Sequence, residues 1–234
     1  MLKSSTNLAF IFALLSLMIH VKSQENLPIG YISYYNNDAK NDQFLNSLTL
    51  CNPEYWNLSK DKSGTVISPL SSDSLGLLQP HGNLGMLKDM IFGEFIMEFE
   101  FMPGPTDTNA ISGFSFICPA KTSDIFYATL LTADTIYFYY YNKNVSERLD
   151  ALPLNIKPGA WNHVKVTRDI LKRSLTFVVN KDEAGKAMFS DPRLVMGFVG
   201  FSTIGTRSVI RKIRLWAPTT ITETFKCPEI VNKP

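Results

Sequence analysis

The sequence predicts an all-β protein built as an antiparallel two-sheet sandwich. From Gln24 onward the chain reads as short strand-like runs separated by clusters of Gly, Pro, Asn and Asp. It contains no long apolar stripe of helical period and no internal repeat. Apolar residues make up 45% and aromatic residues 12% of the 234 residues, which is enough to fill a core between two sheets.

The clearest strand lies in GEFIMEFEFMPG, where side chains alternate strictly between two faces. One face is predicted to belong to the core and is formed by Phe95, Met97, Phe99 and Phe101. The other face is predicted to be solvated and carries Glu94, Ile96, Glu98 and Glu100. The next clear alternation is in DTIYFYYYNKN, where one face of the strand consists of Tyr137, Tyr139 and Tyr141.

The stretch PGAWNHVKVTRD is interpreted as the entrance of a strand. Pro158-Gly159 makes a turn, Trp161 packs at the start of the strand, and Val164 and Val166 face the core, opposite to His163 and Lys165. The following strand ends in a turn over residues 180–185, and a further strand is expected over residues 186–189.

The ends of the chain indicate an exported protein. Residues 1–23 combine a lysine, an apolar run of about a dozen residues and a small-residue cleavage site, which is the pattern of a secretory signal peptide. No stretch reaches the roughly 20 apolar residues of a membrane span. We therefore expect a secreted, extracellular protein with a sandwich domain over residues 24–216 and a tail over residues 217–234.

In that compartment the cysteines can form disulfides. We expect Cys51 to pair with Cys227 and Cys118 to remain a buried thiol. Two sequons make Asn57 and Asn144 glycan acceptors if the source is eukaryotic. A net charge of +2 without a basic run gives no indication of a nucleic-acid partner.

The order PGAWNHVKVTRD, SLTFVVNKDEAG, GFVGFST and SVIRKIRLW resembles the second half of concanavalin A-like lectin and glucanase sandwiches, including laminin G-like modules. The span from Phe44 to Trp216 also resembles the 3-keto-disaccharide hydrolase-like branch, through FGEFIMEFEF, NAISGFSF and FYATLLTAD. The resemblance implies a jelly-roll fold. Where that branch carries polar pocket residues, this chain has Ala128, Leu130 and the pair Ile117-Cys118, so the activity is not carried over.

Several residues are candidates for a site. Glu98 and Glu100 stand about 6.5 to 7 Å apart along one strand face, and a retaining glycosidase needs its two carboxyl groups about 5 to 5.5 Å apart. Two interpretations are therefore open: an acid and nucleophile pair, or a strand face that is simply solvated. Tyr137, Tyr139 and Tyr141 are candidates for a platform that stacks on sugar rings. Arg211 is a further ligand-binding candidate, and the pattern leaves open whether it is buried beside a carboxylate or lies on the outside.

Metal and cofactor chemistry has little support in the sequence. His81 and His163 lie far apart and have no ligand spacing to any cysteine, so we expect no zinc site. The oxygens of residues 36–42 offer a possible calcium site, although a turn needs the same residues.

These observations favour a glycan-binding or adhesion module with a shallow concave site, whose partner is a carbohydrate or a glycoprotein. A glycoside hydrolase of the 3-keto-disaccharide hydrolase-like or laminarinase-like kind, with Glu98 and Glu100 as its acid and base, is the alternative. A non-catalytic structural extracellular protein is the second alternative.

Overall fold

A computed structural model of the chain describes residues 27–36, 47–51, 53, 56–61, 64–69, 83–102, 111–117, 125–131, 134–142, 145–154, 156–157, 159–204 and 209–227. The predicted signal peptide, His81, Cys118, Asn144 and residues 37–42 lie outside these ranges. Residues 27–31 belong to a unit of their own, in which the Tyr31 N–H donates to the Pro28 carbonyl at 3.2 Å.

From Ile32 onward the described residues form strands and contain no α-helix. The strands are β1 (Ile32–Asn36), β2 (Leu48–Leu50), β3 (Trp56–Asp61), β4 (Gly64–Pro69), β5 (Asn83–Phe92), β6 (Phe95–Met102), β7 (Ile111–Ile117), β8 (Ile125–Leu131), β9 (Thr135–Asn142), β10 (Val145–Pro153), β11 (Asn162–Asp169), β12 (Ser174–Val179), β13 (Asp182–Ser190), β14 (Gly197–Ile204), β15 (Val209–Ala217) and β16 (Ile221–Thr222). The described part of the chain therefore holds no helix long and apolar enough to cross a membrane.

The strands form two antiparallel sheets, as the sequence predicts. Sheet A has the order β13-β12-β11-β6-β15-β4-β3, with β1 paired to β15. Sheet B has the order β10-β9-β8-β7-β14-β5-β16, with β2 paired to β5. Neighbours such as β6 and β15 are far apart in sequence, so the sandwich is held by long-range pairing.

The two sheets pack face to face over an aromatic core. The predicted core face of β6 is confirmed, because Phe95, Met97, Phe99 and Phe101 are all fully buried. Phe99 of sheet A meets Phe201 of sheet B edge to face, with ring centroids 5.2 Å apart. Edge-to-face packing of this kind is a favoured arrangement for aromatic pairs, and it adds to the gain from burying their area.

The entrance to β11 is held by a buried amide. Asn162 is fully buried, and its Oδ1 accepts from the Lys157 N–H at 2.9 Å while its Nδ2 donates to the carbonyls of Lys157 and Ala160 at 2.9 and 2.8 Å. The Asn180 side chain donates to the same Oδ1 at 2.9 Å. The Trp-Asn-His stretch is thus a strand entrance, as predicted, and Asn162 is the residue that ties it to the preceding loop.

The hairpin after β12 is tighter than expected. Asn180 and Lys181 both have positive φ values, 54° and 61°, which is the geometry of a two-residue turn between twisted antiparallel strands. The expected turn over residues 180–185 is therefore wrong, and β13 begins at Asp182 instead of Lys186. Asn tolerates this left-handed conformation better than most residues, which explains its place in the turn.

A fully buried arginine closes one end of the core. Arg168 has the same strand parity as Val164 and Val166 and donates to the carbonyls of Asp169, Ser174 (3.3 Å) and Leu194 (3.0 Å). It ties the turn after β11 to the segment before β14. Backbone carbonyls accept hydrogen bonds from both of its terminal nitrogens, which solvent does not reach.

A second polar cluster joins the segment after β13 to sheet B. The Asp191 carboxylate after β13 binds the Arg193 guanidinium through two contacts of 2.9 and 2.6 Å. The Arg193 guanidinium lies 3.9 Å from the ring centre of Tyr140 in β9. Burial alone would raise the pKa of Asp191, but the hydrogen bonds from the Arg193 side chain and backbone N–H, together with its positive charge, lower it.

Candidate functional site

The predicted site residues fall on opposite sides of the sandwich. Glu98, Glu100 and Arg211 lie on the outer face of sheet A, because they alternate with core residues of β6 and β15. Tyr137 and Tyr139 lie on the outer face of sheet B, because they alternate with the buried Ile136 and Phe138. The tyrosines and the glutamates therefore do not share a site.

We call the first of these regions the tyrosine face, formed by Tyr137, Tyr139 and Tyr141 of β9, Phe126 and Ala128 of β8 and Arg148 of β10. The predicted alternation is confirmed, and the three tyrosine rings follow one another along the strand. The ring centroids of Tyr137 and Tyr139 are 6.5 Å apart, and those of Tyr139 and Tyr141 are 6.0 Å apart with an interplanar angle of 27°. The result is a continuous aromatic surface.

Only part of this surface remains open to solvent. Tyr141 stacks on Phe126 at 4.6 Å and retains only 5% of its exposure, whereas Tyr137 and Tyr139 are half-buried. Burial, together with the nearby Tyr139, raises the pKa of Tyr141 to about 12, so its hydroxyl stays protonated at physiological pH. The predicted platform of three tyrosines is reduced to two accessible rings supported by a third.

Two neighbours in register with Tyr139 complete the tyrosine face. On one side lies Ala128 of β8, and on the other lies the exposed Arg148 of β10. Residues directly opposite each other in an antiparallel pair share a face, so the Arg148 guanidinium stands beside the aromatic surface. Alternation along β10 alone could not have revealed this, because the register shifts between Arg148 and Asp150.

The tail covers the adjoining part of the same sheet. Cys227 is bonded to Cys51, with their Cα atoms 5.5 Å apart, which confirms the predicted disulfide. Phe225 is buried with its ring 5.2 Å from that of Phe198. These residues form a second, smaller apolar cluster on the outer face of sheet B, and Tyr139 packs against it. The tail segment thus supports one flank of the tyrosine face.

We call the second region the charged face, formed by Glu98 and Glu100 of β6, His163 and Lys165 of β11, and Arg211, Lys212 and Arg214 of β15. The expected solvated strand is wrong for Glu98, whose side chain is only 8% exposed. Its carboxylate oxygens lie 3.5 Å from His163 Nε2 and 4.0 Å from Lys165 Nζ. A buried carboxylate needs such partners, and the neighbouring strand β11 provides them.

Glu100 is the centre of a tighter set of contacts. Arg211 Nε donates to its Oε2 at 2.6 Å, and Lys212 Nζ donates to its Oε1 at 2.8 Å. Burial alone would raise the pKa of Glu100, but the hydrogen bonds and charges of Lys212 and Arg211 outweigh it and lower the pKa. A general acid needs the opposite shift. These contacts keep Glu100 ionised, while the predicted catalytic role of Glu98 and Glu100 stays a prediction.

A β-bulge settles the orientation of Arg211. The register of β15 against β6 shifts between Arg211 and Arg214, and Lys212 has a φ of 52°. Ile210 faces the core before the bulge and Ile213 faces it after the bulge, so the core-facing positions change from even to odd residue numbers. The sequence left open whether Arg211 lies on the core face or on the outer face of a regular strand. Neither regular alternation holds along the whole of β15, because each assumed an unbroken strand. Arg211 points outward and its guanidinium stacks 3.7 Å from the ring centre of Trp161.

Three further candidates from the sequence are Asn57, Asn144 and the possible calcium segment. Asn57 lies in β3, paired with Ser68, but its side chain lies outside the described part, as does Asn144. Within the described ranges, no group of three or more His, Cys, Asp or Glu side chains is arranged to hold a metal ion. Most of the possible calcium segment, residues 37–42, lies outside those ranges.

Comparison with known proteins identifies the fold. No family model and no curated protein matches the sequence. A Bacillus subtilis protein of unknown function with a galectin-like fold superposes with a TM-score of 0.57 at 10% identity, over 82% of this chain and 98% of that one. Carbohydrate-binding module CBM66 from Bacillus subtilis gives 0.51 at 12% identity, over 71% and 93%. Basic winged bean lectin, solved with Tn-antigen, gives 0.52 at 13% identity, over 80% and 98%.

These likenesses confirm the predicted fold class. The chain is an all-β, antiparallel two-sheet sandwich of the concanavalin A-like jelly-roll type, the fold of the lectins and of the carbohydrate-binding module that it superposes on. At 10 to 13% identity the likeness concerns the fold alone.

Proposed function

We propose that the protein is a secreted carbohydrate-binding module that contacts its glycan through the tyrosine face. The supporting observation is the aromatic surface of Tyr137 and Tyr139 on the outer face of sheet B, held in place by the stacked Tyr141 and Phe126. Tyrosine combines an apolar ring, which packs on the C–H face of a sugar, with a hydroxyl that hydrogen-bonds.

The support beneath the rings favours binding. Tyr139 is flanked by Tyr137 and Tyr141 and packs against the apolar cluster of the tail, so its ring is held before any ligand arrives. Preorganised contacts lose little conformational entropy on binding. Arg148, exposed beside Tyr139, adds hydrogen-bond donors at the edge of the rings. A shallow surface of this kind suits binding to an exposed part of a glycan. The proposed ligand is therefore a carbohydrate chain or the glycan of a glycoprotein.

A glycan array with the full chain tests the proposal. We expect Tyr139→Ala to weaken retention of the bound glycan at least about fivefold, which corresponds to about 1 kcal/mol of lost stacking. Tyr139→Phe keeps the ring and should retain most of the binding. Met188→Ala on the outer face of sheet A removes an exposed apolar side chain of similar size and should have no effect.

Two outcomes would remove the proposal. One is the absence of any retained glycan, and the other is equal retention by the wild type and Tyr139→Ala. Because Tyr139 also packs on neighbouring side chains, thermal unfolding of each variant is measured beside the array. Tyr137→Ala provides a second test, because Tyr137 lies at the end of the tyrosine face that is farther from Phe126 and Tyr141.

A further inference from the structure

The charged face carries an excess of positive charge. Among its described side chains, Lys165, Arg211, Lys212 and Arg214 face two carboxylates, which leaves a formal excess of two positive charges. The whole chain has a net charge of only +2, so this single surface holds as much excess as the entire protein. Asp169 at the end of β11 does not change the balance, because its carboxylate pairs with Lys172 at 3.2 Å.

The two carboxylates lie deeper than the two lysines. The side chains of Glu98 and Glu100 are 8% and 20% exposed, whereas those of Lys165 and Lys212 are 31% and 38% exposed, and Arg211 at 13% lies level with the carboxylates. A ligand that approaches from solvent therefore meets the two lysines first. The carboxylates beneath them orient the cations without cancelling their charge at the surface.

The β-bulge in β15 builds this arrangement. In a regular strand, two consecutive residues point to opposite faces, so Arg211 and Lys212 could not both reach Glu100. The left-handed backbone of Lys212, with a φ of 52°, turns its side chain to the same face. The bulge therefore brings two cations from consecutive positions to one carboxylate.

Lys212 retains binding capacity after its contact with Glu100. Lys212 uses one of its three N–H donors on Glu100. The Arg211 guanidinium lies over the Trp161 ring, which limits the freedom of that side chain. The surface thus offers ordered cations from two strands on either side of β6.

We propose that the charged face is a second binding site, and that it takes an anionic polysaccharide whose sulfate or carboxylate groups are bound by Lys165, Arg211, Lys212 and Arg214. It lies on the opposite side of the sandwich from the tyrosine face, so it goes beyond the function proposed above. The three strands that carry it are interior strands of sheet A, with both edges paired. A polypeptide ligand that binds by adding a strand has no free edge there, whereas a polysaccharide needs only side-chain contacts.

The test compares dextran sulfate with uncharged dextran, using the full chain and isothermal titration calorimetry. We expect binding of dextran sulfate that is lost at 1 M NaCl, where charges are screened within about 3 Å, and no binding of dextran. Lys165→Gln and Lys212→Asn should each weaken binding about fivefold, the value of one partly exposed charged contact. Asn at position 212 tolerates the left-handed backbone, so the fold is kept.

A matched control separates this site from net charge. Lys226→Gln removes the same charge from the exposed tail next to Cys227, and it should leave binding unchanged. Tyr139→Ala should also leave binding unchanged, so failure of the tyrosine-face proposal and failure of this one can be told apart. Equal loss in Lys226→Gln and Lys212→Asn would overturn the proposal. Tighter binding of polyglutamate than of dextran sulfate would overturn the assignment to a polysaccharide.

Discussion

Replacing Asn162 with alanine tests whether its buried amide holds the entrance to β11. The Asn162 amide takes part in four hydrogen bonds, with the N–H and carbonyl of Lys157, the carbonyl of Ala160 and the side chain of Asn180. Each bond contributes about 1 kcal/mol net, so we expect the free energy of unfolding to fall by about 4 kcal/mol. Because the residue is fully buried, water cannot replace the lost partners without opening the loop.

Urea unfolding followed by tryptophan fluorescence measures this effect, with the slope m compared between variants to confirm a common two-state transition. Asn162→Asp is measured as a second variant. It keeps an acceptor for the Lys157 N–H, but it loses the bonds donated to the Lys157 and Ala160 carbonyls and buries a charge. A double-mutant cycle with Asn180→Gly isolates the bond between the two amides, for which we expect about 1 kcal/mol. A loss below about 1 kcal/mol for Asn162→Ala would refute the argument that this amide holds the entrance.

Three further predictions concern stability. Replacing both Cys51 and Cys227 with alanine should lower the free energy of unfolding by about 2 to 5 kcal/mol, since the disulfide closes a loop of 176 residues; an unchanged urea midpoint would contradict this. Arg168→Met keeps the volume of the side chain but removes the Arg168 donors from three carbonyls, two of them in buried hydrogen bonds, and thermal unfolding should reveal a loss of about 3 to 5 kcal/mol. The pKa of Asp191 is lower in the folded than in the unfolded protein, so its contribution is complete above about pH 4 and is lost as the pH falls below that value. Asp191→Asn should therefore reduce the dependence of unfolding free energy on pH in the acid range, and an unchanged slope would contradict the role of the Asp191 and Arg193 pair.

Most of the structural features that the sequence predicts follow from side-chain alternation along single strands. The core face of β6, the tyrosines of β9 and the parity of His163 and Lys165 follow from a period of two, because a regular strand must point successive side chains to opposite faces. The same reasoning fails at Lys212, where a bulge adds one residue and reverses the parity of the strand. Nothing in SVIRKIRLW marks that position, since lysine does not favour a positive φ.

The sequence by itself determined the class of fold and the alternating faces of the principal strands, and it favoured the pairing of Cys51 with Cys227. Only the tertiary structure decided which faces meet. It placed the tyrosines and the glutamates on opposite sides of the sandwich, buried Glu98 beside His163 and Lys165, and gathered Arg211 and Lys212 around Glu100. The physical reason is that alternation is a local property of one strand, whereas the neighbours of β6 across the sheet are residues 61 to 120 positions away in the chain. The order and register of these strands are fixed by packing of the whole core.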